Sequence, residues 1–322
     1  MAFHLWEISE VYSNNTGHIQ YIELVCPLSA NGETIIANHD ITFTGSGNPE
    51  VYNVPSNLTS GTAGKSLLFA SQGFADLGVV QPDFILPDDF FIDPNGGTLS
   101  VFEGVDSLTF ESLPGSGTQS LNGSGATVNS SPTSFTGVSA IISGNPILGT
   151  TFAETLTGTD AKDFIVGLDG NDVINGGLGN DTIRGGVGAD NLDGGGGTDR
   201  IQGEAGNDKM TWGAGDFFDG GANTDILRVG VATLNLTTAA NSNDKLLNIE
   251  QIDLKVGAHT LTLNKADVLA MSPTDSIKIL GDGADTVNIA GIQIEGGSAP
   301  AGFTRYRIGT AVLIIDSDID VI

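Results

Sequence analysis

Along the middle of the chain an aliphatic side chain returns at every ninth position: Ile165, Ile174, Ile183, Leu192, Ile201 and Met210. That period is too long for one face of a helix or for one strand, so each residue predicts its own short strand, with the glycine-rich stretch between as a turn. One apolar residue per unit cannot make a core alone, and the units are therefore expected to stack. Beyond residue 228 the pattern changes to alternating apolar and polar positions, which predict strands over 248–254, 260–264, 276–280 and 311–316. Between them Asn264-Lys-Ala-Asp-Val-Leu-Ala270 predicts a short helix with Asn264 as its N-cap. Before residue 130, strand-like runs at 8–12, 19–25, 34–37, 66–70 and 98–102 are separated by Gly, Asn, Ser and Pro, with no long helical pattern. This predicts a β-sandwich, and the whole chain reads as all-β. The expected order is a sandwich over 1–135, a linker over 136–157, a repeat region over 158–228 and a β capping segment over 229–322.

The repeats carry chemistry as well as pattern. Gly167-Leu-Asp-Gly-Asn-Asp172-Val-Ile-Asn175 is followed without a gap by units opening at Gly176, Gly185, Gly194 and Gly203. Aspartates stand in one register at Asp163, Asp172, Asp181, Asp190, Asp199 and Asp208, and after an eight-residue interruption from Trp212 to Asp219 a last unit contains Asp225. The pattern is G-G-x-G-x-D-x-U-x. Its glycines allow tight turns in which carbonyl oxygens crowd inward, and its aspartate adds a hard anionic oxygen. Calcium gathers 6 to 8 such oxygens at once. The candidate ligands are therefore Asp163, Asp169, Asp172, Asp181, Asp190, Asp199, Asp208 and Asp225, with main-chain oxygens at Gly167, Gly176, Gly185, Gly194 and Gly203. A flexible acidic linker explains the 19 of 46 glycines between 158 and 228, but gives no reason to keep aspartate and an aliphatic residue in register. Without metal, glycine entropy and carboxylate repulsion leave the stretch unfolded.

These units resemble the RTX calcium-binding repeat. That resemblance implies a parallel β-roll in which successive half-turns lie on opposite sides, with each ion held between units n and n+2. It pairs Asp163 with Asp181, Asp172 with Asp190, Asp181 with Asp199 and Asp190 with Asp208, which implies about four well-formed sites and weaker ones near the interruption. Residues 229–322 resemble the C-terminal domains of RTX adhesins, with Gly281-Asp-Gly-Ala-Asp285 repeating the spacing once more. The same resemblance implies an uncleaved C-terminal signal for type I secretion, matching the ending Leu313-Ile-Ile-Asp-Ser-Asp-Ile-Asp-Val-Ile322. At the other end, Ile8-Ser-Glu-Val-Tyr12, Tyr21-Ile-Glu-Leu24, Lys65-Ser-Leu-Leu-Phe-Ala70 and Gly104-Val-Asp-Ser-Leu-Thr109 resemble a lamin-tail domain. This implies an immunoglobulin-like sandwich used for binding and surface display.

Charge narrows the partners. The net charge is −27, and residues 1–130 hold 14 carboxylates against one cation, Lys65. Nucleic acid and anionic membrane would repel such a chain, and no apolar run reaches the roughly 18 residues of a membrane span. The single cysteine, Cys26, excludes an internal disulfide. The opening Met-Ala-Phe-His-Leu-Trp-Glu lacks a basic region and an unbroken apolar stretch, so export is expected by a route other than a Sec-type signal.

Catalytic motifs are missing. There is no H-E-x-x-H or G-x-S-x-G, and His4, His18, His39 and His259 share no metal or triad spacing. Gly61-Thr-Ala-Gly64-Lys65-Ser66 ends like a P-loop, but Thr59 stands where its first glycine belongs. Glu10 and Glu23, on neighbouring predicted strands, form a candidate acid/base pair, and Asp88, Asp89, Asp93 and Asn95 a candidate extra calcium loop. Structural roles are preferred for both.

The expected function is that of a secreted calcium-binding structural protein of the cell surface or matrix (surface layer, biofilm or adhesive coat), not an enzyme. Its expected partners are calcium ions and further copies of the chain. The rival readings are a secreted hydrolase with a catalytic sandwich and a monomeric module that binds cell-surface glycan.

Overall fold

The computed structural model describes residues 6–14, 19–29, 34–87, 90, 96–102, 104–114, 119–134, 136–137, 139, 144–238, 245–254, 257–289, 293–294 and 299–322. The acidic loop of Asp88, Asp89, Asp93 and Asn95, together with His4 and His18, lies outside these residues. The chain divides into two compact units, Met1–Pro146 and Ile147–Ile322.

The first unit is built on two sheets. One has the order Thr127–Asn129, Gln119–Asn122, Glu7–Ser13, Gln20–Val25, Ser66–Ser71, Phe84–Leu86; the other runs Glu50–Asn53, Asp40–Thr44, Gly97–Val101, Asp106–Phe110. Among the described residues only the pair Ser66–Ser71 and Phe84–Leu86 is parallel in these two sheets. Alternating side chains from both sheets, among them Val11, Ile22, Leu24, Phe69, Phe43 and Leu99, meet in one core closed by Trp6, so this is a sandwich. The run 34–37 is not a strand. The N–H groups of Ile36 and Ala37 both donate to the Asn57 side chain, at 3.0 and 2.9 Å, so no neighbouring strand receives them.

The second unit is a stack of parallel strands. One sheet takes Asn145–Leu148, Asp163–Asp169, Thr182–Val187, Arg200–Ala205, Phe217–Asp219 and Leu246–Leu247. Facing strands come from the alternate half-turns: Thr155–Thr157, Val173–Asn175, Asn191–Asp193, Lys209–Thr211 and Ile226–Arg228. The same sheet continues into Gln251–Asp253, Ser276–Leu280 and Ala311–Asp316, then ends in the antiparallel strands Phe303–Ile308 and Gln293–Ile294. A third parallel sheet joins Thr233–Asn235, Thr260–Thr262, Thr286–Asn288 and Asp320–Val321.

The nine-residue aliphatic residues, Ile165 to Met210, are all fully buried in one core that runs on into Ile252, Ile277 and Leu313. Two expected boundaries therefore shift. Residues 145–148 and 155–157, expected as linker, are strands of the roll, and no break separates 228 from 229. Buried pairs such as Met210 with Trp212, Leu227 with Val229, Leu234 with Leu236 and Leu261 with Leu263 mark the later part of the stack, where the units of Ile174, Ile183, Leu192 and Ile201 bury one apolar residue each. The helix Lys265–Met271 has Asn264 as its N-cap, in a capping box closed by Asp267.

Candidate metal centre

Because alternate half-turns pair in one sheet, residues 18 apart are neighbours, and the repeat aspartates fall into two columns. In one, the N–H groups of Glu154, Asp172, Asp190 and Asp208 each donate to Oδ1 of the next member, Asp172, Asp190, Asp208 and Asp225, at 2.8 to 2.9 Å. In the other, Asp163, Asp181 and Asp199 donate in the same way to Asp181, Asp199 and Asp216, each at 2.8 Å.

One carboxylate oxygen is thus spent on the preceding turn. The other has nothing: Oδ2 of Asp172, Asp181, Asp190, Asp199, Asp208 and Asp225 is buried without a hydrogen-bond partner. Leaving an acceptor of an ionised group buried and unsatisfied costs more than an ordinary polar group. Something positive belongs there.

The space beside each orphaned oxygen has a constant shape. A Cβ added at Gly176 would lie 2.5 Å from Asp181 Oδ2 and 2.5 Å from the Gly194 carbonyl oxygen. Gly167 borders Asp172 Oδ2 and the Gly185 carbonyl, Gly185 borders Asp190 Oδ2 and the Gly203 carbonyl, and Gly203 borders Asp208 Oδ2 and the Gly220 carbonyl. Gly194 borders Asp199. Each cradle therefore offers one carboxylate with main-chain oxygens, and among the described residues no three His, Cys, Asp or Glu side chains converge on one point. Hard oxygen donors without nitrogen or sulfur suit calcium and not zinc or copper.

Two candidate ligands depart from this arrangement. Asp169 is exposed at the end of its strand and enters no cradle, because the third place of the repeat points away from the turn. Asp163 is buried, but its Oδ2 already accepts from the N–H and hydroxyl of Thr159, at 2.6 and 3.0 Å.

Two further acids belong to the columns without fitting the nine-residue pattern. Asp216 lies in the supposed interruption yet joins the second column 17 residues after Asp199, so the interruption is a repeat shortened by one residue. Glu154 stands nine residues before Asp163 and opens the first column. The first was hidden by a slip of register and the second by an unexpected acid.

Burial raises the pKa values of Asp172, Asp181, Asp190, Asp199, Asp208, Asp216 and Asp225, and neighbouring carboxylates add to the rise at most of them. Asp181, Asp190 and Asp216 are pushed up to about 6 and Asp225 to about 7, chiefly by loss of water and then by like charge. The sign follows from linkage. Between the ordinary carboxylate range and pH ~7 the folded, metal-free roll binds more protons than the unfolded chain, so its stability falls as pH rises through that window. In chelator, lowering the pH from 7.5 to 5 is therefore expected to increase order in the roll, read by circular dichroism. A circular dichroism spectrum in chelator that stays the same between pH 7.5 and pH 5 contradicts the assignment.

The class of protein this defines is a parallel β-roll built to hold calcium between its turns. Residues 148–183 and 184–216 match the family model of the RTX calcium-binding nonapeptide repeat, present in 4 copies. No curated protein matches the chain. The repeats bind calcium, and among the described residues no helix is long and apolar enough to cross a membrane.

In the sandwich, Glu10 and Glu23 stand directly opposite each other on paired strands and are both buried. Glu10 accepts from the hydroxyls of Tyr21, at 2.6 Å, and Ser120, and from the N–H of Ser131 at 3.0 Å. Burial pushes Glu23 up to about 7, against the Ser66 hydroxyl and Thr133 N–H that bond it, with Glu10 adding to the rise. A carboxyl raised in the folded state withdraws stability as pH climbs from its unfolded value toward 7. Glu23→Gln keeps an acceptor and removes the charge, so it is expected to raise the melting temperature of the sandwich at pH 8 and leave it nearly unchanged at pH 5. Melting followed by Trp6 fluorescence in a Trp212→Phe background reads this.

Proposed function

We propose that the protein is a secreted structural component of the cell surface or extracellular matrix that folds on calcium and assembles with further copies of itself. The observation that carries this reading is the pair of carboxylate columns in which six buried Oδ2 atoms have no hydrogen-bond partner among the described residues. Extracellular calcium modules bind at about 10⁻⁴ to 10⁻³ M, so such a stretch stays unfolded at cytosolic calcium and orders after export. An unfolded chain suits passage through a type I secretion channel, and the lamin-tail-like sandwich supplies the displayed domain.

The acidity of residues 1–130, with Lys65 as sole cation, supports assembly, since calcium can bridge acidic faces of two copies. A non-catalytic sandwich is supported by the state of Glu10, which is buried and already takes three donors. Light scattering through a calcium titration tests the proposal. Particles growing beyond the monomer at millimolar calcium, and dissolving in chelator, are expected; a monomer at every calcium concentration removes assembly from the reading.

A further inference from the structure

The calcium columns do not stop where the repeats stop. The matched repeats end at residue 216, but the first column takes one more step. The Asp225 N–H donates to Glu250 Oε2 at 2.9 Å, as each earlier aspartate donates to the next. Asp225 is fully buried, and its Oδ2 has no partner. Beside it, a Cβ on Gly220 would meet Asp225 Oδ2 and the Asn248 carbonyl oxygen. In the preceding cradle the same places are taken by Gly203, Asp208 Oδ2 and the Gly220 carbonyl. Asn248 thus replaces a glycine, and Glu250 replaces an aspartate.

Both replacements are physically suited to these places. Asn248 has φ +54, a left-handed conformation that asparagine tolerates better than most residues. Its side chain donates to Asp219 Oδ1 at 2.7 Å, and Gly220 N–H donates to the Leu247 carbonyl at 3.0 Å, so the turn is held on both sides. Glutamate reaches one methylene further than aspartate, as it must when the acid stands two residues after the carbonyl instead of five. No nine-residue pattern would find this arrangement.

The second column ends otherwise. After Asp216, the Lys245 ammonium donates to the Gly215 carbonyl at 2.9 Å. A tethered cation closes that side, and the first column is left with an orphaned carboxylate oxygen and a facing carbonyl.

We propose that Gly220, Asp225, Asn248 and Glu250 form a further calcium site, shared between the last repeat and the segment that follows it. The proposal rests on the calcium reading of the repeats. Its consequence is mechanical: Gln251–Asp253 pairs with Ile226–Arg228, so this ion ties the next strand of the sheet to the roll.

The test counts bound calcium in the full chain by native mass spectrometry and by calorimetry. Asp225→Asn and Glu250→Gln, each keeping an acceptor of the same shape, are expected to bind one ion fewer than wild type and to speed hydrogen exchange at Gln251–Asp253. Asp190→Asn serves as the reference within the matched repeats. If Asp190→Asn lowers the count while Asp225→Asn and Glu250→Gln bind as many ions as wild type, the shared site is overturned and the repeat reading stands. If Asp190→Asn also leaves the count unchanged, the repeat reading fails, and the shared site with it. Should Glu250→Gln fail to fold, Asp225→Asn together with wild-type exchange at Gln251–Asp253 in calcium and in chelator decides the matter. Equal exchange in the two conditions overturns the proposal.

Discussion

Excess chelator is expected to unfold the roll from Asn145 to Arg228 while the N-terminal sandwich keeps its structure. The contrast follows from what each part buries. The roll gives one aliphatic residue per unit to the core and has six orphaned carboxylate oxygens, in a stretch where glycine makes the unfolded chain entropically favourable. A calcium site filled to about a hundred times its Kd returns roughly 2.7 kcal/mol, and several sites removed together exceed the margin by which a domain is stable. The sandwich closes Trp6 and several further aromatic rings into a core that depends on no ion in the roll.

The chain's two tryptophans report on the two parts separately. Trp6 is fully buried in the sandwich; Trp212 is 8% exposed and stacks on Phe218 with ring centroids 5.7 Å apart. In Trp6→Phe, emission is expected to shift red in chelator and return with calcium. In Trp212→Phe it is expected to stay where it is. Identical Trp212 emission in both conditions would mean that calcium does not hold the roll together.

How much of this was visible beforehand depended on whether a physical constraint repeats. The roll was legible because each unit must supply a tight turn, a ligand oxygen and a core residue, and Gly, Asp and Ile recur in step. Where the same job is done by other residues, the signal vanished. Asp216 serves after a one-residue deletion, and Glu154 substitutes for aspartate. Asn248 and Glu250 reproduce the cradle with the acid only two residues after the carbonyl.

In the sandwich the long buried strands were found, but Asp40–Thr44, Glu50–Asn53 and Asp106–Phe110 were not. They are short and half polar, and Glu50–Asn53 buries none of its residues, so pairing, not pattern, makes them strands. The run 34–37 failed in the opposite direction. Its apolar residues are real, but Asn57 takes the hydrogen bonds a partner strand would need.

Replacing one glycine should be as damaging as losing a site. Gly188 has φ +145, and a Cβ there would fall on the Gly170 carbonyl oxygen of the turn below it in the stack. That conformation is strained for any L side chain, costing about 1–3 kcal/mol. The obstacle is also main chain, which cannot swing aside without breaking the bond from Gly170 N–H to the Val187 carbonyl at 2.8 Å. Gly188→Ala is therefore expected to cost at least about 3 kcal/mol, enough to move the calcium midpoint of roll folding upward or abolish the transition. Gly230→Ala is the matched control, since a Cβ at Gly230 meets nothing within 4 Å, and it is expected to stay within about 0.5 kcal/mol of wild type. Calcium titrations followed by Trp212 emission in both variants measure the difference. If Gly188→Ala folded at the wild-type calcium concentration, the turns could not be stacked as closely as this geometry requires, and the cradles, which depend on the same stacking, would lose their support.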